Sequence, residues 1–141
     1  MKILTSDVRD GKHDGDIVWI CHYNQPDLNK KPLRNVKPTR CIVCSNDELP
    51  KNKTIYYSSS HFKPLSKNGA KLSQVISPVD NTGYRCHIGN ELFVFDSKDE
   101  CDEEYRNQVM EVVALIDKRI ENAVIDLQNK KSELIKMVDY L

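Results

Sequence analysis

Apolar positions change their spacing near residue 97. Before it, short runs rich in β-branched and aromatic residues recur: DIVWICH (16–22), TRCIVCS (39–45), TIYYSSS (54–60), KLSQVIS (71–77), YRCHI (84–88) and ELFVF (91–95). Such runs suit strands. Turn chemistry separates them at Asp14-Gly15, Pro38, Asn68-Gly69, DNTG (80–83) and Gly89-Asn90. Gly89-Asn90 stands between two apolar runs and predicts a hairpin, because Gly takes positive φ without steric cost. Six short strands in about eighty residues predict a small barrel or sandwich.

After residue 97 the period becomes helical. SKDE (97–100) has the form of a capping box, with Ser97 as the cap and Glu100 reaching back. Asp99, Glu100, Asp102, Glu103 and Glu104 crowd the first turns, where the helix dipole favours acids. No Gly or Pro occurs from 98 to 141. Val109, Val113, Ile116, Ile120, Ala123, Leu127, Leu134, Met137 and Leu141 alternate in steps of four and three, with only Lys130 breaking the series. That is a coiled-coil heptad seam. A helix of some forty residues is roughly 60 Å long, longer than a small barrel, so the seam predicts self-association. The expected fold class is α+β. Residues 1–97 form a small SH3-like β-barrel, and 98–141 form a long helix that serves as an oligomerisation element.

Charge adds an asymmetry that the total hides. The 141 residues carry 21 basic and 21 acidic side chains. Residues 28–79, however, hold ten Lys/Arg against Asp47 and Glu48 alone. Such an excess points to an anionic partner. Lys30, Lys31, Arg34, Lys37 and Arg40 fall in NKKPLRNVKPTR (29–40), which has no acid and two prolines and reads as an extended loop. Lys51, Lys53, Lys63, Lys67 and Lys71 continue the charge, and Tyr56, Tyr57, His61 and Phe62 interleave aromatic surface. Lys and Arg neutralise phosphates, and aromatic rings stack on bases.

The five cysteines are odd in number and form no tight framework, which suits free thiols in a reducing compartment. The N-terminal stretch lacks the pattern of a signal peptide, and no apolar run reaches membrane-spanning length, so the expected location is the cytoplasm. Cys41 and Cys44 have half the spacing of a zinc site. The residues between them, Ile42 and Val43, place the pair within a strand, where positions three apart face opposite ways. No metal or cofactor is expected. Cys21-His22 and Cys86-His87 are adjacent in sequence, and strand neighbours also face apart, so neither predicts a catalytic dyad.

GDIVWI (15–20), a polar loop and KPTRCIVCSND (37–47) together resemble the opening of SH3-like small barrels. They are similar to the MazF/PemK-type toxin endoribonucleases, whose first strand commonly reads G-D-I-V-W and whose second is Val-rich after an Arg-Pro. The likeness covers residues 14–60. It implies that Arg40, with Ser58, Ser59 or Ser60, flanks a scissile RNA phosphate without a metal. The sequence departs from the pattern in having Cys41 after the Arg, a different loop and the appended helix. It also resembles KOW, Tudor and PWWP modules, which bind without cleaving. The short, Lys- and Asn-rich chain looks like the small accessory proteins of tailed phages.

The reading that follows is a non-catalytic module that binds nucleic acid through Lys30, Lys31, Arg34, Lys37, Arg40, Lys51, Lys53, Tyr56, Tyr57 and His61. Its alternatives are a protein-binding adaptor or inhibitor of a host protein, and a MazF-like metal-independent endoribonuclease. The expected partners are RNA, DNA or a protein, together with further copies of the chain.

Overall fold

A computed structural model describes residues 1–25, 27–32, 34–79 and 92–141, with only the backbone of Arg34. It shows an α+β fold in which a five-stranded antiparallel sheet is followed by a long helix. The DIVWICH run becomes β2 (Ile17–Asn24), which pairs with β3 (Arg34–Ser45) on one side and β5 (Phe93–Phe95) on the other. β4 (Ser60–Pro64) and β1 (Lys2–Ile3) lie at the two edges, in the order β1-β5-β2-β3-β4. Helix α1 (Thr5–Arg9) precedes β2, and α2 (Lys98–Asp139) ends the chain.

Alternation along β2 explains why both faces of the sheet are covered. Val18 and Ile20 point into a core with Cys41, Val43, Phe62, Val94, Leu92, Ile76 and Val8, the last supplied by α1. The intervening residues Trp19 and Cys21 join Phe93 and Phe95 on the opposite face, where Cys101 and Tyr105 of α2 pack. Successive strand residues face apart, so a run apolar at every position requires a cover on each side. Pro38 sits where the ladder slips. Ile20 pairs with Thr39 but His22 with Val36, so one residue of β2 stands opposite two of β3. A bulge accommodates a residue that has no N–H to donate.

Half of the expected capping box forms: the Ser97 hydroxyl accepts from the Glu100 amide at 3.3 Å, while the Glu100 carboxylate lies 2.5 Å from the Met1 nitrogen. Tyr105 then donates to Asn35 Oδ1 at 2.8 Å, and Gln108 Oε1 accepts from the Tyr23 amide at 2.6 Å. The chain divides into two units, Met1–Gln108 and Val109–Leu141. In the second unit, taken by itself, Val113, Ile116, Ile120, Leu127, Leu134 and Met137 are all exposed, from 36% to 68%.

Three sequence expectations need correction. TIYYSSS does not form a strand. Its serines are used elsewhere: Ser58 Oγ donates to Ser60 O at 2.7 Å, and Ser59 Oγ to Arg9 O at 2.7 Å, while Ser60 Oγ bonds Asp14. Side-chain bonds of this kind compete with a ladder, and Tyr57 has φ of 64°. The strand begins only at Ser60. KLSQVIS contributes two isolated bridges, Phe62–Ile76 and Leu65–Lys71, in place of a strand. The edge residue between them is Pro64, which accepts from the Leu72 amide at 2.8 Å but has no N–H to return. β1 and α1 were not foreseen, because MKILTSDVRD is too short and too polar to show a period. The YRCHI run, the DNTG turn and Gly89-Asn90 lie outside the described residues. Among those described, the sheet is open and its outer strands β1 and β4 do not pair.

The core on the α1 side sets a stability contrast. Phe62→Ala, at a fully buried ring, is expected to cost about 3–5 kcal/mol in chemical denaturation. Tyr57→Ala, at an 83% exposed ring, is expected to stay within about 0.5 kcal/mol of wild type. Equal effects would contradict the packing described.

Candidate functional site

Cross-strand register assembles a partly open surface on the face that carries α2. Trp19 lies directly opposite Arg40, and Ile17 opposite Ile42, which in turn faces Lys63. Directly opposed side chains are about 5 Å apart, so two adjacent rows bring an indole, two aliphatic side chains, a guanidinium and an ammonium together. The first turns of α2 cover Cys21 and Phe95 but leave Ile17 57% exposed. Trp19, Arg40, Ile42 and Lys63 are half-buried.

The cations are held in different ways. Arg40 donates through Nη2 to Ser66 O at 3.1 Å, which fixes the guanidinium plane while using one of its five donors. Lys63 Nζ lies 3.5 Å from Ser73 O. Lys98 Nζ sits 5.7 Å from the Trp19 ring centroid and donates to Asp102 at 2.6 Å. The neighbouring acids are also engaged. The Met1 nitrogen bonds Asp96 and lies 2.5 Å from Glu100, and Gln108 donates to Glu104 at 3.2 Å. The rows therefore present positive charge beside one large aromatic ring, the combination that binds single-stranded nucleic acid.

The residues named from sequence do not form one patch. Lys30 and Lys31 are exposed in the loop before β3, and Lys37 is exposed at the bulge. Arg34 begins β3, and its side chain lies outside the described residues. Lys51, Lys53, Tyr56 and Tyr57 are exposed in the loop that follows the far end of that strand. A strand of this length spans roughly 35–40 Å, so the two groups flank opposite ends of β3. Arg40 belongs to the rows between them.

His61 is withdrawn from the surface at 1% exposure, and its Nδ1 is 3.1 Å from Asn46 Oδ1. Sequence adjacency to Lys63 and the tyrosines suggested an exposed ring. The ring instead lies opposite Cys44, on the same face as Lys63, and is buried where it meets Asn46.

Arg40 and the three serines are likewise separate. β3 and β4 pair Cys41 with Pro64 and Ser45 with Ser60. Arg40 and Ser60 therefore sit at opposite ends of that ladder, roughly 15 Å apart at strand rise. Ser58 and Ser59 lie beyond Ser60, and Ser60 itself is fully buried.

Trp19 and Lys98 were not singled out from the sequence, and Lys63 was read only as part of the charged window. The signal for Trp19 was present in DIVWICH, where alternation puts Ile17 and Trp19 on the face opposite Val18 and Ile20.

The four described cysteines are buried and free. Cys41 lies in the core with Val43, while Cys44 is on the other face of β3. Burial pushes the Cys41 thiol up to about 12 and raises that of Cys44. Cys21 Sγ donates to the Cys101 carbonyl at 3.5 Å, and the neighbouring Cys21 thiol, ahead of burial, raises the Cys101 thiol. Among the described residues, no three His, Cys, Asp or Glu side chains are grouped to hold a metal. None of the described helices is long and apolar enough to cross a membrane.

Burial, with Lys63 adding to it, holds the His61 imidazole below its usual range. A depressed histidine favours the unfolded state once protons bind there, so its stabilising contribution is lost as pH falls below about 6.5. The denaturation midpoint of wild type is expected to fall more steeply between pH 7 and 5 than that of His61→Gln. Parallel profiles would contradict this assignment.

No protein-family model, curated protein or solved structure matches the chain.

Proposed function

We propose that the chain is a cytoplasmic, self-associating module that binds nucleic acid on an SH3-like small barrel. The observation that carries the reading is the pair of rows Trp19–Arg40 and Ile17–Ile42–Lys63. An indole offers a face to a base, while a guanidinium and an ammonium neutralise neighbouring phosphates. Lys37 lies about 10 Å further along β3 from Arg40 at strand rise, and Lys30 and Lys31 extend the positive charge into the loop. Single-stranded nucleic acid fits better than duplex, since a partly buried indole reaches only an unstacked base.

Strand order supports the barrel reading. The last strand, β5, returns to pair with the first long strand, β2, a strand order compatible with a small barrel. The two bridges at residues 71 and 76 continue the meander beyond β4. The buried thiols suit a reducing compartment. The exposed seam of residues 109–141 supports self-association through a coiled coil, and a dimer gains avidity from two copies of the surface.

A protein-binding role rests on the same exposed seam and differs in its salt response. The endoribonuclease reading loses its observation, because Arg40 and Ser58–Ser60 are not neighbours.

A gel shift with labelled RNA and DNA across a salt series, beside a denaturing gel, checks the proposal. Binding is expected to weaken steeply with salt and to leave the strands intact. Arg40→Gln with Lys63→Gln is expected to lower affinity roughly tenfold and reduce the salt slope by about two. Lys51→Gln with Lys53→Gln should leave both nearly unchanged. Loss of binding only in the second pair would move the site to the far loop, and cut RNA would restore a catalytic reading.

Ile116→Asp with Ile120→Asp is expected to convert the assembly to monomers in sedimentation equilibrium. Unchanged sedimentation would remove the seam from self-association.

A further inference from the structure

The polar positions beside the seam carry more information than the seam itself. With Val113, Ile120, Leu127 and Leu134 at one core position of the heptad and Ile116, Ala123, Lys130 and Met137 at the other, each flank is fixed. One flank reads Met110, Asp117, Val124, Lys131 and Val138. The other reads Val112, Arg119, Asp126, Glu133 and Tyr140. A parallel pair sets one flank against the other. Arg119 then meets Val124, Glu133 meets Val138, and Val112 meets Asp117, which leaves only Asp126 with Lys131 matched. It also stacks Lys130 on its own copy, next to two further lysines at 131.

An antiparallel pair sets each flank against itself. When the two segments overlap fully, Val109 stands across from Leu141, Val113 from Met137, Ile116 from Leu134 and Ala123 from Leu127. On the first flank, Met110 meets Val138, Asp117 meets Lys131, and Val124 meets its own copy. On the second, Arg119 meets Glu133 and Val112 meets Tyr140, leaving Asp126 against its copy as the one like-charged contact. Lys130 lies across from Ile120, where its aliphatic stem covers an apolar neighbour and its ammonium reaches water. Apolar flank positions therefore meet apolar ones, and four ion pairs form across the dimer.

We propose that residues 109–141 pair with the same segment of a second copy in antiparallel orientation, with Val124 next to its copy. The inference rests on the self-association proposed above and adds its direction and register. The two Val109 residues, through which the sheet units are attached, then lie about 48 Å apart.

Short bis-maleimide cross-linking of the full chain reads the geometry, with wild type as the control for native thiols. Val124→Cys is expected to give a covalent dimer and Lys130→Cys to give none. Cross-linking of Lys130→Cys but not Val124→Cys would establish a parallel pair and overturn the proposal while leaving self-association intact. Both or neither, in protein that sediments as a dimer, would overturn the register. Sedimentation of wild type as a monomer would overturn the underlying reading as well. Charge exchange gives a second measurement. Arg119→Glu is expected to weaken the dimer roughly tenfold, and Arg119→Glu with Glu133→Arg to restore it. Failure of the double variant to recover would contradict the Arg119–Glu133 pairing.

Discussion

β2 carries apolar side chains on both of its faces, and the N-terminal unit is arranged to keep both from water. Val18 and Ile20 are covered by α1, β4 and the segment around Ile76. Trp19 and Cys21 are covered by the first turns of α2. The second cover is narrower than the sheet. It shields β5 and most of β2 but leaves Ile17 and the β3 side partly open, where Arg40, Ile42 and Lys63 are half-buried. The proposed binding surface is thus a consequence of how the sheet is covered. A helix that covers half a face leaves an edge where aromatic and cationic residues can sit together. Two of its first acids, Asp102 and Glu100, pair with Lys98 and the Met1 nitrogen.

Much of the architecture was legible because its signals are local. Alternation in DIVWICH and TRCIVCS specified β2 and β3, Ser97 specified the helix start, and the four-three spacing specified a long helix. The separation of Cys41 from Cys44 followed from strand geometry alone. What misled was composition without partners. TIYYSSS has strand-forming residues, yet three serines found closer partners in Arg9, Asp14 and their own backbone. KLSQVIS met a proline on the strand it would have joined.

The site was harder to read for a related reason. A window of ten positive charges is continuous in sequence, but β3 passes through its middle and carries its ends apart. His61 shares the face of Lys63, two residues on, but lies at the end of the ladder where Asn46 bonds it and buries it. Trp19, quoted within a core strand, belongs to a face that only register with Arg40 reveals. Cross-strand pairing is a long-range property, and neither charge nor propensity encodes it directly.

Trp19 is the chain's one tryptophan, so its fluorescence reports on the proposed surface without a label. Titration of the full chain with a short single-stranded RNA or DNA at several salt concentrations tests the account most directly. Saturable quenching that shifts to higher oligonucleotide concentration as salt rises would place a base against the indole. Unchanged emission at low salt, under conditions where the oligonucleotide is retained by the protein, would show that nucleic acid binds elsewhere and would contradict the account.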